Sequence, residues 1–284
     1  MSRWITALGA AMVLVLACAA PAAQPDPVKA KLDKARTAYE EQMTAAEKAV
    51  ADALDKAETA ARKRGDKDAV DKIKAERELF ELAGVAPKSV PAAGTPKATA
   101  ARKSLDAEYA AAVKAYTKAG KDAEAATAEK EAAELKAAGA GRTRHFLVTN
   151  KNSALVLASM KEKGDKGSGM MQTAKTEADN QLWSLVSAGA ADTYRLRNKA
   201  SGLYASVGGS RDAGHNLTLE KDDGDGSRWV LEREGASFLF QNVNSKLYLA
   251  PAEASKNEGM RVLQWQKADK ADEFRWNLVT PKPK

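Results

Sequence analysis

The feature that most constrains the fold is an internal repeat in the second half of the chain. Three segments open alike, with an asparagine that is followed three residues later by serine and two residues after that by leucine. Each segment then passes through a loop that contains glycine and ends at a tryptophan: Trp183, Trp229 or Trp276. These tryptophans are 46 and 47 residues apart. Repetition at a nearly fixed period indicates that each repeat is one structural unit and that the units pack against each other.

The residue pattern inside each repeat indicates β-strands. After Gly139-Ala140-Gly141, short stretches of alternating apolar and polar residues are separated by turn-forming residues. A single repeat of about four short strands cannot bury its apolar face alone, whereas three repeats around one axis can close a barrel. The sequence therefore predicts a β-trefoil over residues 141–281.

Each repeat also ends on a version of one three-residue motif. Residues 181–183 read Gln-Leu-Trp, and residues 227–229 and 274–276 keep only the tryptophan of that pattern. An intact Q-x-W is typical of ricin-type lectin domains, which residues 143–280 resemble. The resemblance implies a carbohydrate-binding domain with four structural core residues: Gln181, Trp183, Trp229 and Trp276.

The resemblance also implies three sugar-binding groups in each repeat. They are an aspartate after the first strand, an aromatic residue before the last strand, and an asparagine immediately before Q-x-W. The aspartate position holds Leu157, Ala205 and Leu249 in the three repeats. The aromatic residue is present in the third repeat as Trp265, and the asparagine is present in the first repeat as Asn180.

Sugar recognition needs amide or carboxylate groups for the hydroxyls and an aromatic face for the C–H patch of the ring. The expected carbohydrate-binding residues are Trp265, Gln264, Gln266, Asp272, Asn180 and Gln172. Two functions stay open at this point. One is carbohydrate binding through a non-standard pocket. The other is a degenerate β-trefoil that serves as a structural or protein–protein interaction module without sugar binding.

The region before the repeats is predicted to be α-helical. From Val28 to Ala57, apolar residues recur at steps of three and four among many Lys, Glu and Ala residues. The sequence predicts a helical hairpin over residues 24–86, a Pro/Ala linker over 87–100 and a second hairpin over 101–140. The apolar stripes are narrow and rich in alanine, so the predicted role is a spacer or a stalk that self-associates as a coiled coil.

The N-terminus has the pattern of a bacterial export signal over residues 1–23. Arg3 precedes an apolar stretch that is shorter than the roughly 20 residues of an ordinary transmembrane helix. Two processing routes stay open: cleavage at the A-x-A site of residues 20–22, or lipidation of Cys18 at a lipobox-like sequence. Cys18 is the only cysteine, which excludes an intramolecular disulfide. We expect an exported protein of the periplasm, cell envelope or extracellular space, with a membrane contact only through a lipid on Cys18.

Charge and residue usage exclude several other classes of function. The formal net charge of +7 is small and scattered, so no nucleic-acid partner is expected. The chain has two histidines, His145 and His215, and lacks the common motifs of nucleophilic, metal-dependent and phosphate-binding enzymes. We therefore expect no catalytic residues, no metal site and no cofactor.

Overall fold

The computed structural model describes five stretches of the chain: residues 26–91, 93–137, 144–189, 192–222 and 224–282. The predicted export signal, residues 1–23, and Cys18 within it lie outside the described residues. Within these stretches, no helix combines the length and the apolar character that crossing a membrane requires. The same stretches contain no cluster of three or more His, Cys, Asp and Glu side chains that is suited to hold a metal ion.

Four α-helices precede the β-structure. They are α1 (Pro27–Lys63), α2 (Lys67–Ala83), α3 (Thr95–Lys118) and α4 (Asp122–Ala137). The predicted linker over residues 87–100 is wrong in its second half, because α3 already begins at Thr95. Pro96 lies in the first turn of α3, where the missing N–H of a proline costs no intrahelical hydrogen bond.

The helices form one bundle around the long helix α1. The first half of α1 packs against α3 and α4 through buried residues that include Leu32, Met43 and Tyr109. The second half of α1 packs against α2 through Leu54 and Ile73. The two predicted hairpins therefore share α1 as a common partner, and they do not form two separate bundles.

The apolar stripes of the helices are buried within a single chain. The large hydrophobic side chains that are exposed in the described stretches are Met160, Trp265 and Val279, and all three belong to the β half. Self-association through the helices stays a prediction. None of the large exposed hydrophobic side chains in the described stretches lies on a helix, so they do not support it.

The described residues contain twelve β-strands, four in each repeat, and all of their pairings are antiparallel. The first repeat holds β1 (Leu147–Asn150), β2 (Val156–Ser159), β3 (Met170–Thr173) and β4 (Trp183–Ser187). The second holds β5 (Thr193–Asn198), β6 (Tyr204–Ser206), β7 (Thr218–Glu220) and β8 (Trp229–Glu234). The third holds β9 (Ser237–Asn242), β10 (Tyr248–Pro251), β11 (Val262–Trp265) and β12 (Trp276–Val279).

The pairing of these strands is that of a β-trefoil. The first and last strands of each repeat form a barrel in the order β1–β12–β9–β8–β5–β4, which a bridge between Phe146 and Trp183 closes. The remaining strands form three hairpins, β2–β3, β6–β7 and β10–β11, which single bridges connect to each other. The prediction of helices followed by a three-repeat β-trefoil is confirmed.

The tryptophan of each repeat is fixed in the core by one hydrogen bond. The three indoles are almost completely buried, and each Nε1 donates to a backbone carbonyl of the second strand in its own repeat. The pairs are Trp183 with Leu157 (2.9 Å), Trp229 with Ala205 (2.9 Å) and Trp276 with Leu249 (3.0 Å). A buried indole N–H without a partner would destabilise the fold, so this bond explains why all three repeats keep the tryptophan position.

The asparagine at the start of each repeat stabilises a turn and links its own repeat to the preceding one around the barrel. Asn150, Asn198 and Asn242 are fully buried. In each case Oδ1 accepts hydrogen bonds from the backbone N–H groups two and three residues later. Each Nδ2 donates to a backbone carbonyl in the loop before a tryptophan strand, at 2.8–3.0 Å. The repeated Asn-x-x-Ser pattern is therefore a structural device of the fold.

Helix α2 packs against the core of the trefoil. Ala83 belongs to the same buried cluster as the three tryptophans, and Leu79, Leu82 and Val85 pack against that cluster. Beside this contact, the guanidinium of Arg144 pairs with Glu47 of α1 at 3.1 Å and lies 5.5 Å from the ring centroid of Phe80. The helical bundle and the trefoil thus share apolar core contacts.

The buried asparagines give a stability prediction. We expect Asn198→Ala to lower the free energy of unfolding by about 2–3 kcal/mol, because two backbone N–H groups and the carbonyl of Asn180 lose their partner. Chemical denaturation followed by circular dichroism measures this change. Asn257→Ala is the matched control, since Asn257 is exposed and the change is expected to stay within about 0.5 kcal/mol. Equal stability of the two variants would contradict the assigned role of Asn198.

Candidate functional site

Strand β11 presents one aromatic side chain to solvent. Side chains alternate between the two faces of a strand, so neighbouring residues point in opposite directions. Gln264 points inward and is 0% exposed, whereas Trp265 points outward and is 48% exposed. Among the described tryptophans, Trp265 is thus the one whose ring a ligand can reach.

The prediction that Gln264 and Gln172 bind carbohydrate is wrong, because both amides are buried and fully used within the protein. Gln264 Oε1 accepts from the Ser245 hydroxyl at 2.6 Å, and its Nε2 donates to the Asp212 carbonyl at 2.9 Å. Gln172 repeats this arrangement in the first repeat. Its Oε1 accepts from the Ser153 hydroxyl, and its Nε2 donates to two carbonyls of the loop at residues 255–257.

The three expected aspartate positions also lie in the core. The side chains of Leu157, Ala205 and Leu249 are completely or almost completely buried, and their carbonyls accept the tryptophan Nε1 hydrogen bonds. The assignment of a ligand-binding aspartate to these positions is therefore wrong. Apolar residues at these positions satisfy the packing of the barrel and carry no information about sugar binding.

Trp265 belongs to an outward-facing row that crosses three strands. Tyr248 of β10 pairs with Trp265 on one side and with Gln241 of β9 on the other. Residues that are directly opposite in an antiparallel pair project from the same face. We call these three outward-facing residues, Gln241, Tyr248 and Trp265, the Trp265 face.

Hydrogen bonds hold the centre of the Trp265 face in place. The Tyr248 hydroxyl donates to the Glu232 carboxylate at 3.2 Å and accepts from the Gln241 amide at 3.1 Å. Burial, reinforced by the charge of Glu232, raises the pKa of Tyr248 above its ordinary value. The tyrosine is therefore a protonated, fixed neighbour of Trp265 at neutral pH. Tyr248 was not predicted as a site residue from the sequence. Its pairing with Trp265 in the β10–β11 hairpin places it in the site.

A loop of the second repeat supports the Trp265 ring. The backbone N–H of Gly214 donates to the Gln264 carbonyl at 2.9 Å, so the loop lies alongside β11. A side chain at Gly214 would place its Cβ 2.9 Å from the Trp265 ring, and the φ angle of Gly214 is +84°. Only glycine fits this conformation and this space without strain. The backbone at Gly214 thus supports one edge of the ring, and about half of the side chain stays open to solvent.

The charged groups beside the Trp265 face neutralise each other. The Lys267 ammonium lies 5.9 Å from the ring centroid of Tyr248 and 3.4 Å from the Glu234 carboxylate. Arg275 Nε donates to the same carboxylate at 2.8 Å, and this hydrogen bond lowers the pKa of Glu234. The face therefore has little net charge.

Asp272 is tied up in ion pairs. Its carboxylate accepts from Arg275 at 2.6 Å and lies 3.1 Å from the Lys151 ammonium. The hydrogen bonds from Arg275 and Lys151 lower the pKa of Asp272. The Asp272 carboxylate is thus engaged by two cations, and its contact with a ligand stays a prediction.

Two other expected residues belong to the first repeat. The Asn180 amide donates to the Ser159 carbonyl at 3.1 Å, and its own carbonyl accepts from Asn198. The Gln181 amide donates to the Ala174 carbonyl at 2.7 Å and accepts from two backbone N–H groups of the same loop. The structure thus does not bring Asn180 together with Trp265. Gln266, which directly follows Trp265, is exposed.

The family comparison agrees with the geometry of the trefoil. The family model of the ricin-type β-trefoil lectin domain-like proteins matches residues 135–220. The chain carries a ricin-type β-trefoil lectin-like domain. The lectin-like domain follows the helical bundle, and the matched residues include the first repeat and most of the second. A comparison with curated protein sequences gave no match.

Several solved structures are similar to the lectin-like domain. ThreeFoil, a designed 3-fold symmetric protein, is 25% identical at a TM-score of 0.46, over 48% of this chain and 99% of its own. The Polyporus squamosus lectin, bound to the epitope Neu5Acα2-6Galβ1-4GlcNAc, is 19% identical at a TM-score of 0.42, over 48% of each chain. The Macrolepiota procera ricin B-like lectin, in complex with lactose, is 19% identical at a TM-score of 0.42, over 49% of this chain and 96% of its own.

Gln264 tests the inward assignment on β11, and the exposed Gln266, just beyond the strand, is the control. We expect Gln264→Ala to destabilise the protein by about 2–3 kcal/mol, because it leaves a buried hydroxyl and backbone carbonyls without partners. Gln266→Ala is expected to change the free energy of unfolding by less than about 0.5 kcal/mol. Urea denaturation of both variants measures the difference. An unaffected Gln264 variant would show that the inward assignment of Gln264 is wrong.

Proposed function

We propose that the protein is an exported, non-catalytic carbohydrate-binding protein that holds its ligand on the Trp265 face. The observation that carries this proposal is the exposure of a large aromatic ring on a rigid hairpin, where 48% of Trp265 is open to solvent. An exposed indole offers a flat apolar surface on which a ligand can stack. A pyranose ring offers a C–H patch of matching size and polarity.

The surroundings of Trp265 favour an uncharged, hydroxyl-rich ligand. The loop at Gly214 and the hydrogen-bonded Tyr248 fix the ring before any ligand arrives, which lowers the entropic cost of binding. Lys267 and Arg275 both pair with Glu234, and Glu232 adds a second carboxylate beside Tyr248, so the net charge next to the face is close to zero. The exposed amide of Gln266, which directly follows Trp265, can donate and accept hydrogen bonds with hydroxyls.

The location in the cell envelope is part of the proposal and is supported by the sequence of residues 1–23. In this arrangement the helical bundle is the spacer that carries the lectin-like domain. Several copies on one surface would bind a polysaccharide much more tightly than a single site does, because the second contact is intramolecular. The two processing routes, cleavage before residue 23 and lipidation of Cys18, both deliver the same folded region.

A protein-interaction role without sugar binding is the second candidate. The burial of Gln264 and Gln172 and the ion pairs of Asp272 favour it, because they engage three of the expected polar groups within the protein. A face with one aromatic side chain and few free polar groups also fits the centre of a small protein interface.

Binding of residues 24–284 to a glycan and polysaccharide array tests the proposal. We expect the protein to bind at least one neutral glycan, and Trp265→Ala to weaken that binding by about tenfold or more, which corresponds to about 1.4 kcal/mol. Trp265→Phe keeps an aromatic face and is expected to retain part of the affinity.

Met160→Ala is the matched control for the array. Met160 is also a large exposed hydrophobic residue, at 41%, but it lies in the first repeat. We expect its substitution to leave glycan binding unchanged. Binding that survives Trp265→Ala would reject the Trp265 face as the site. No binding on a broad array by the folded protein would favour the protein-interaction role.

A further inference from the structure

The second repeat presents its own version of the outward-facing row. Ser184 of β4 pairs with Arg197 of β5, and Arg197 pairs with Tyr204 of β6. Ser184 directly follows Trp183, as Val230 follows Trp229. Arg197 and Tyr204 therefore correspond to Gln241 and Tyr248 of the Trp265 face, and Glu220 stands in the place of Trp265. The antiparallel bridge between Phe146 and Trp183 adds His145 to the row, because that register sets His145 opposite Ser184.

This row lines a large cleft between the trefoil and the helical bundle. The cleft has a volume of about 840 Å³, which is within the usual range for a small-molecule site. His145, Ser184 and Arg197 form part of its trefoil wall, and residues of α1, α3 and α4 form the opposite wall. Ligand sites occur preferentially at such junctions between two packed bodies.

The Arg197 side chain is held in position with its terminal nitrogens free. Its Nε donates to the Gly202 carbonyl at 3.0 Å. A Cβ on Gly202 would lie 3.0 Å from an Arg197 terminal nitrogen, and Gly202 has a φ angle of +71°. The glycine thus lets the guanidinium lie flat against the turn. Within the described stretches, the bond from Nε to Gly202 is the one hydrogen bond or ion pair that the Arg197 side chain makes.

Ser184 and His145 add two neutral groups next to this guanidinium. Neither side chain is hydrogen-bonded to another described residue. Burial, together with the nearby charges of Lys199 and Arg197, lowers the pKa of His145 to about 4. At neutral pH the imidazole is therefore uncharged and offers one donor and one acceptor, as a hydroxyl does.

The remaining charges distinguish the two walls of the cleft. On the trefoil wall, Lys199 is paired with Asp179 at 2.8 Å, which leaves Arg197 as the uncompensated charge. On the helical wall, Arg36 is paired with Asp33 and Glu131. Glu40, Lys130 and Glu134 also line the helical wall, so four acidic and four basic side chains of the described residues line the cleft as a whole. The unpaired donors of Arg197 form the cationic spot of its trefoil wall.

We infer that this cleft is a second ligand site, in which Arg197 binds the carboxylate of an acidic saccharide and Ser184 and His145 bind its hydroxyls. The planar guanidinium matches a planar carboxylate in a bidentate arrangement, which a tetrahedral anion fits less selectively. The two neutral groups suit hydroxyls that flank the carboxylate. This site does not depend on the Trp265 face, since it lies on another repeat.

Calorimetric titration of residues 24–284 with trigalacturonic acid tests the inference. We expect saturable binding that Arg197→Ala weakens by at least about tenfold. Arg197→Lys is expected to lose most of this affinity as well, because it keeps the charge but not the bidentate fork. Ser184→Ala, a small change that should leave the fold intact, is expected to weaken binding a few-fold.

Two controls separate this site from general charge and from the Trp265 face. Arg261→Ala removes the same charge from an exposed position that does not line the cleft, and it should leave the titration unchanged. Trp265→Ala should also leave it unchanged. Neutral galactose oligomers are expected to bind at least about tenfold more weakly than trigalacturonic acid in the Trp265 variant, in which the Trp265 face no longer contributes.

Four results would overturn the inference. They are the absence of trigalacturonic acid binding by the folded protein, equal loss in the Arg197 and Arg261 variants, equal affinity for the neutral oligomer, and competition by inorganic phosphate at the same affinity as the saccharide. The last result would show a general anion site. Loss of trigalacturonic acid binding in Trp265→Ala alone would move the acidic ligand to the Trp265 face.

Discussion

Buried amide side chains must be hydrogen-bonded inside the protein, and much of this trefoil depends on that requirement. Five amide side chains of the described residues are completely buried: the asparagine at the start of each repeat, Gln172 and Gln264. Their amides hydrogen-bond to neighbouring turns and loops. These bonds tie each repeat to loops from other parts of the domain. The tryptophan Nε1 bonds add a link between the last and the second strand of each repeat.

This requirement also determines which residues remain for a ligand. Inward positions are taken by core packing and by the amide bonds, so recognition is left to the outward-facing rows. The rows have diverged between repeats although their geometry is shared. In the third repeat the row ends in Trp265, with paired charges beside it. In the second repeat the corresponding row holds Arg197 and faces the helical bundle. One scaffold thus offers an aromatic face and a polar cleft that holds one unpaired guanidinium.

The repeat pattern was sufficient to predict the trefoil from the sequence, because three tryptophans in register leave few alternatives. The functional residues were harder to predict. Gln264 and Trp265 are adjacent, and only the strand register shows that one is buried and the other exposed. The same one-residue uncertainty placed the expected aspartate positions in the core. The contact of α2 with the barrel could not be predicted from the sequence, because Leu79 and Leu82 fit the apolar stripe of a helical hairpin equally well.

The exposure of Trp265 permits a direct test of the main proposal. Residues 24–284 contain four tryptophans, of which Trp183, Trp229 and Trp276 are buried. We expect iodide to quench only the emission of Trp265, and a bound neutral oligosaccharide to remove that quenching. Trp265→Phe should abolish the quenchable fraction. A glycan that binds while the quenchable fraction stays unchanged would contradict the Trp265 face as the binding site.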